Sequence, residues 1–255
     1  INLEFIQPDH DAYYDVIGQT FASGVENWPD AIILSGSYYT GYAEEGALWD
    51  MTSAWEHSDL KASGRITDEN IIDSMKIDGK LYGFPMTRGN GCITYIKKAW
   101  LDRCGLEVPT NYEEYLNVLK AFSEGDPDGN GVNGDTYGVS AAGFVGSEDP
   151  YINYLPEFYQ DAYPSFERGE DGLWYDGFTQ DNFKDALKRL RDAYKAGYID
   201  KETLTNGTND CRNKFYEDKF GVFTYWAGTW GENLKVNLIA NGKDGELIPL
   251  KPIKE

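Results

Sequence analysis

The sequence predicts an α/β protein, and three observations carry the prediction. Short apolar runs at 31–34 and 221–226 read as strands, the first of them buried. Two segments, 112–122 and 181–196, repeat their apolar residues at helical spacing. Glycines and prolines fall where these elements must stop. At 255 residues the chain has room for one large or two modest domains.

In chain order, the run 31–34 is entered from Trp28-Pro29-Asp30 and left through Ser35-Gly36, so it reads as a buried parallel strand opening into a loop. That loop carries Tyr38, Tyr39 and Tyr42, and ligands of open α/β sheets bind beyond the carboxyl ends of strands. Asp78-Gly79-Lys80 predicts a turn into a short strand or hairpin arm at 81–84. Residues 92–96 alternate as a strand, and 97–104 read as a short helix stopped by Gly105. Thr110-Asn111-Tyr112-Glu113 fits a capping box, after which Tyr112, Tyr115, Leu116, Leu119 and Phe122 share a helix face. A second helix spans 181–196, with Phe183, Ala186, Leu187, Leu190 and Tyr194 on one face and Gly197 as its stop. The stretch 141–179 is rich in Gly, Asp and aromatics, with few periodic signals. The strand 221–226 breaks at Gly228 into Trp230 and Gly231.

Helix 112–122 feeds an acidic loop, DPDGNGVNGDTYG at 126–138. Asp126, Asp128 and Asn130 stand at its first, third and fifth places, ahead of Gly131 and the Val132 carbonyl, a spacing that suits the oxygen ligands calcium requires. Tyr137 occupies the twelfth place, where a helix-loop-helix calcium site has a two-oxygen glutamate, so a standard sensor loop is not expected. Asp135 is the nearest late carboxylate. The same residue types also make a metal-free Asp/Asn/Gly surface turn, and the spacing by itself leaves both open. Residues 129–134 match G-x-G-x-x-G, but a helix precedes them and carboxylates flank them, which excludes a pyrophosphate cradle.

With 43 acidic and 23 basic residues the formal charge is -20, which argues against nucleic acid or anionic membrane as partner. No apolar run reaches the length of a membrane span, and the first residues show neither a basic leader nor a cleavage site, so a secreted form would have lost its signal. Cys92, Cys104 and Cys211 show no C-x-x-C spacing, so zinc and a dense disulfide framework are not expected, and one disulfide stays open. The two histidines, His10 and His57, belong to no catalytic motif, and Asn206-Gly207-Thr208 is a short match to a glycosylation acceptor.

Binding chemistry is better represented. The chain has 19 tyrosines, 12 phenylalanines and 7 tryptophans, and aromatic rings fill cores but also form flat platforms. Sugars pack their C–H faces on such rings, while planar polar groups such as those of Arg88 and Asn90 fix their hydroxyls. Core packing is the alternative for each ring taken singly, and position at strand ends singles out Tyr38, Tyr39, Trp226 and Trp230.

Taken in order, several segments resemble the family 1 extracellular solute-binding proteins of bacterial ABC importers, the maltose-binding-protein-like sugar binders. They are Ala22-Ser23-Gly24 with 29–33 (PDAII), 43–52 (AEEGALWDMT), 78–85 (DGKLYGFP), 95–110 (YIKKAWLDRCGLEVPT), the acidic loop, 187–199 (LKRLRDAYKAGYI) and 215–226. The resemblance implies a two-lobed periplasmic-binding-protein-like fold of class II type, each lobe a mixed sheet flanked by helices. It implies a first lobe of 1–94 with 220–255 and a second of 95–219, and it leaves parts of the family's N- and C-terminal segments outside the chain. A carbohydrate, in the first place an oligosaccharide, would be captured in the interlobe cleft by hinge closure. Tyr38, Tyr39, Arg88, Asn90, Trp226 and Trp230 would face the cleft, and 151–159, including Tyr154, would supply the second lobe's wall. The resemblance further implies structural calcium on Asp126, Asp128, Asn130, Val132 and Asp135, no organic cofactor, and no catalysis. It implies a monomer that works with ABC permease transmembrane subunits, either anchored outside the cell as a lipoprotein or periplasmic. A polysaccharide-active enzyme and the ligand-binding component of a membrane sensor are the alternatives.

Overall fold

The computed structural model describes residues 2–9, 12–86, 91–143 and 155–253. The chain divides into two compact units, Ile1–Thr87 and Arg88–Glu255.

The described part of the first unit is helical. It contains α1 (Tyr13–Ala22), α2 (Gly36–Glu44) and the short helices α3 (Thr52–Glu56), α4 (Asp59–Ala62) and α5 (Asn70–Asp73). Trp55, Ile72 and Leu81 form a small core. Asp78 and Gly79 have φ of 49° and 78°, the two left-handed residues of a type I′ turn, and close the bridge between Ile77 and Lys80. The predicted turn is therefore present, but no strand follows it at 81–84.

The run 31–34 is not the buried strand that its composition predicts. It is irregular, with Ile33 58% exposed, and the described residues of this unit contain no strand to pair with it. Side chains of α1 bind the backbone of the run and of the residue after it: Tyr13 Oη donates to the Ile33 carbonyl at 3.0 Å, and the Ser35 N–H donates to Tyr14 Oη at 2.9 Å. An apolar run becomes a strand only where a neighbour takes up its backbone groups. The chain then enters α2 directly, so Tyr38, Tyr39 and Tyr42 are helical residues and not loop residues.

The second unit contains β1 (Cys92–Lys97), α6 (Lys98–Cys104), α7 (Tyr112–Glu124), β2 (Tyr137–Val139), β3 (Phe166–Arg168), β4 (Trp174–Asp176), α8 (Asp181–Ala196), α9 (Thr208–Tyr216), β5 (Phe220–Trp226), α10 (Thr229–Ala240) and β6 (Leu247–Pro249). Four strands form a mixed sheet in the order β2-β5-β1-β6, and β3 and β4 make a separate hairpin. β5 runs parallel to β2 and antiparallel to β1, with Thr94 opposite Thr224 and Ile96 opposite Val222. Ile96 and Val222 pack into a cluster with Trp100, Tyr115, Phe122 and Leu190. Tyr95, Phe223 and Tyr225 pack into a second cluster with Phe215 of α9 and Leu234 and Leu238 of α10. Burial on both faces explains why 220–225 reads as an unbroken apolar run. At Gly221 the sheet and its covering helices meet so closely that a Cβ would lie 2.4 Å from the Phe122 ring.

Helix ends follow their sequence signals with one shift. Gly105 and Gly197 stop α6 and α8 at φ of 66° and 82°. Asn111 caps α7, its Oδ1 accepting the Glu114 N–H at 3.0 Å, while the Glu114 carboxylate accepts from the Thr110 N–H at 2.8 Å. The reciprocal pair thus uses Glu114, where the four-residue box pointed to Glu113.

Residues 220–255 lie in the second unit. β5 is hydrogen-bonded on both sides, α10 packs on α9 and β5, and the Leu250 N–H donates to the Thr94 carbonyl at 2.8 Å. A central strand buried on both faces cannot leave its sheet without exposing both cores.

Candidate functional site

The described part of the second unit holds a groove of about 390 Å³ where β1 begins, walled by residues 156–164 and 250–253. Its floor contains polar groups in an otherwise apolar sheet. Thr94 donates to Glu157 Oε1 at 2.5 Å and lies 2.9 Å from the Thr224 hydroxyl across the β1–β5 ladder. Tyr115 Oη reaches Glu157 Oε2 from below at 3.4 Å. Burial pushes the Glu157 carboxyl above its usual range, opposed by the hydrogen bonds from Thr94 and Tyr115. Gln160, Tyr163 and Lys251 add polar groups to the walls, and Ile93, Leu250 and Pro252 add apolar surface. An apolar cleft of this size with a few convergent polar groups has the make-up of a small-molecule site.

The predicted site residues are distributed unevenly. Arg88, Asn90, Tyr154 and His10 lie outside the described residues. Tyr38 is 41% exposed on α2, stacked on Tyr14 with centroids 3.9 Å apart, beside a shallow hollow with Tyr42 and Glu45. Tyr39 turns inward and braces its unit, donating to the Met75 carbonyl at 2.8 Å and accepting the Tyr82 N–H at 3.1 Å. Trp226 ends β5 opposite Cys92, which lines the groove. Trp230 lies on α10, edge-on to Tyr225 at 5.3 Å, with the Arg212 guanidinium 5.2 Å from its ring centroid. Tyr38 and Tyr39 thus belong to the first unit, and Trp226 and Trp230 to the second.

Thr94, Thr224 and Glu157 escape a reading of periodicity and motifs. Their signal is nonetheless present: a threonine inside each of two apolar strand runs marks a buried hydroxyl that must find a partner.

In the acidic loop, Asp126 accepts the N–H groups of Asn130 and Gly131, each at 2.9 Å. Asn130 Oδ1 accepts the Val132 N–H at 2.7 Å, and its amide donates to Asp135 at 2.8 Å. Asp128 Oδ1 is buried with no hydrogen-bond partner, and burial together with the nearby Asp126 and Asp135 carboxylates pushes its carboxyl upward. Among the described residues no three His, Cys, Asp or Glu side chains converge closely enough to hold a metal ion. Cys104 and Cys211 form no disulfide, and burial pushes the Cys211 thiol up to about 12. No described helix is long and apolar enough to cross a membrane.

The family description "Bacterial extracellular solute-binding protein" matches this chain over residues 6–252. The chain belongs to that family. This solute-binding protein is 29% identical to lipoprotein LipO of Bacillus subtilis over 83% of its own length and 41% of LipO. It is 30% identical to the fructooligosaccharide ABC transporter substrate-binding protein FusA of Streptococcus pneumoniae, over 68% of its own length and 32% of FusA. A FusA EF-hand mutant solved with fructo-nystose superposes with a TM-score of 0.64 at 26% identity, covering 84% of this chain and 46% of that one. The solute-binding protein therefore spans less than half the length of each of these relatives. The family is one of solute-binding proteins and FusA is a substrate-binding protein, and the periplasmic-binding-protein-like α/β fold is the one expected from the sequence.

Proposed function

We propose that this chain is part of the extracellular substrate-binding component of a bacterial ABC importer that captures an oligosaccharide and delivers it to permease subunits. The observation that carries the reading is the groove of the second unit, whose hydroxyl, carboxyl, amide and ammonium groups are set among apolar and aromatic side chains. This is the pairing that a sugar's C–H faces and hydroxyls need. The relationship to FusA, named for fructooligosaccharides, supports it. In the complete protein, closure of two lobes about a hinge would trap the sugar, with Tyr38, Arg88, Asn90, Tyr154, Trp226 and Trp230 as candidate contacts. Calorimetry with a panel of neutral oligosaccharides tests the reading. Binding that weakens at least tenfold in Trp230→Ala supports it, and a complete protein that binds no carbohydrate overturns it. Glycan turnover abolished by replacing one carboxylate would make the protein an enzyme instead.

Anchoring as a lipoprotein belongs to the same proposal and is supported by the relationship to LipO. Labelling of the complete protein with a radioactive fatty acid tests it.

We also propose that the acidic loop binds calcium through Asp126, Asp128, Asn130, Val132 and Asp135. The partnerless buried oxygen of Asp128 fits a hard cation, and the FusA structure described as an EF-hand mutant supports the reading. Bound calcium would have to draw Asp126, Asp128 and Asp135 closer together, and it would then neutralise their charge. Chelator should lower the melting temperature of the complete protein by several degrees, and Asp128→Asn should remove that difference. Equal melting at every calcium concentration leaves the loop a plain turn.

A further inference from the structure

The β3–β4 hairpin carries large apolar side chains that the cores do not use. Phe166 is 63% exposed and Trp174 68%. In the ladder Phe166 lies opposite Asp176 and Arg168 opposite Trp174, so these four residues share one face of the hairpin, while Glu167 and Tyr175 occupy the other. Two rings on that face are accompanied by one planar donor and one planar acceptor.

The hairpin is also braced. Arg168 Nε donates to the Gly172 carbonyl at 3.2 Å, Tyr175 Oη to Asp171 at 2.5 Å, and the Leu173 N–H to Asp171 at 3.0 Å. Its base is clamped to the groove wall. The Gly177 N–H donates to the Ser165 carbonyl at 2.9 Å, and a Cβ on Gly177 would lie 1.8 Å from the Tyr163 carbonyl oxygen. Tyr163 lines the groove and is 45% exposed. The hairpin thus begins two residues after the groove wall at 163–164, and its far strand returns to the backbone of Tyr163 and Ser165.

Charge restricts what this surface can hold. Residues 161–181 contain six carboxylates against the single Arg168, so a second copy, an anionic glycan or an anionic lipid would meet like charge. The ring-bearing face itself has one charge of each sign, Arg168 and Asp176, which suits a neutral occupant. We propose that the hairpin face formed by Phe166, Arg168, Trp174 and Asp176 is an outer subsite that holds the distal units of a long, neutral oligosaccharide whose inner units occupy the groove. The assignment rests on the carbohydrate reading of the groove. Rings held rigid before binding lose little freedom when a sugar stacks on them, so length should raise affinity.

The test is calorimetry of the complete protein with a length series of one neutral linear oligosaccharide. The wild type should bind long members about tenfold more tightly than the shortest member that binds. Trp174→Ala and Phe166→Ala should each remove most of that gain and leave the shortest member's affinity unchanged. Glu167→Gln, on the opposite face, should alter neither. Equal affinity for short and long members, or a length gain that survives in Trp174→Ala, overturns the outer subsite and leaves the groove reading intact. No binding by any member removes the groove reading and the subsite with it. Ring variants that change the sedimentation coefficient in place of the length gain make the face a contact between copies, and the proposal fails.

Discussion

Asp218 and Glu157 are two buried carboxyl groups beside the same strand, and they are handled in opposite ways. Asp218 meets a cation: Lys97 Nζ, buried at the end of β1, donates to its Oδ1 at 2.5 Å and to the Phe215 carbonyl at 2.8 Å, with Lys243 at 3.5 Å from the other oxygen. Burial holds Lys97 down to about 8, and the Asp218 charge works against that fall. Among the described residues Glu157 meets hydroxyls, from Thr94 and Tyr115, and burial lifts its carboxyl. The first arrangement locks α9 and β5 to β1. The second leaves a carboxyl in the wall of a groove with only hydroxyl partners among the described residues, an arrangement suited to meeting a ligand.

The sharpest way to break this contrast is Asp218→Asn. Asp218 has a φ of 60°, which asparagine tolerates, so the change removes charge without added backbone strain. Lys97 would then be buried beside a neutral amide, and denaturant titration should show a loss of about 3–5 kcal/mol. Adding Lys97→Met should recover much of it, because the cost lies in the stranded charge. A loss below about 1 kcal/mol would mean that the pair is not the lock described.

Glu157→Gln should behave differently. A carboxyl whose folded pKa is raised contributes stability while protonated, below its unfolded pKa, and that contribution is lost as pH rises through the folded value. Wild-type stability should therefore fall with rising pH above the ordinary glutamate range, whereas Glu157→Gln should lack this fall and exceed the wild type by about 1–2 kcal/mol at neutral pH. Stability profiles parallel in pH would show that Glu157 is not the titrating group. The smallest effect is expected from Thr224→Val, which removes one hydroxyl contact but leaves Thr94 bonded to Glu157, about 1 kcal/mol by thermal unfolding.

The comparison also marks what could be read from the chain. α7, α8 and β5 were legible because each pattern reports its own burial: one apolar face for the helices, an unbroken apolar run for a strand covered on both faces. The run 31–34 has the same composition as a strand, yet the Tyr13 hydroxyl takes its Ile33 carbonyl and Tyr14 holds Ser35 just beyond it, and nothing in its own four residues reports that. Tyr38 and Tyr39 are adjacent and alike in sequence, but α2 turns one outward and the other into contact with Met75 and Tyr82. The groove was the least legible part. Thr94, Glu157 and Thr224 are up to 130 positions apart; the β1–β5 register pairs the two threonines, and the 3-10 turn Pro156–Phe158 adds Glu157.

Local composition by itself determined the α/β character, the helix stops at Gly105 and Gly197, the Asp78-Gly79 turn, the acidic loop and the family, because each depends on residues close in the chain or on their order along it. The tertiary structure decided which strand candidates found partners, which unit holds 220–255, which buried carboxyl is paired, and where rings face solvent. Hydrogen-bond satisfaction and burial are properties of neighbours in space, and distant segments become neighbours only when the sheet closes.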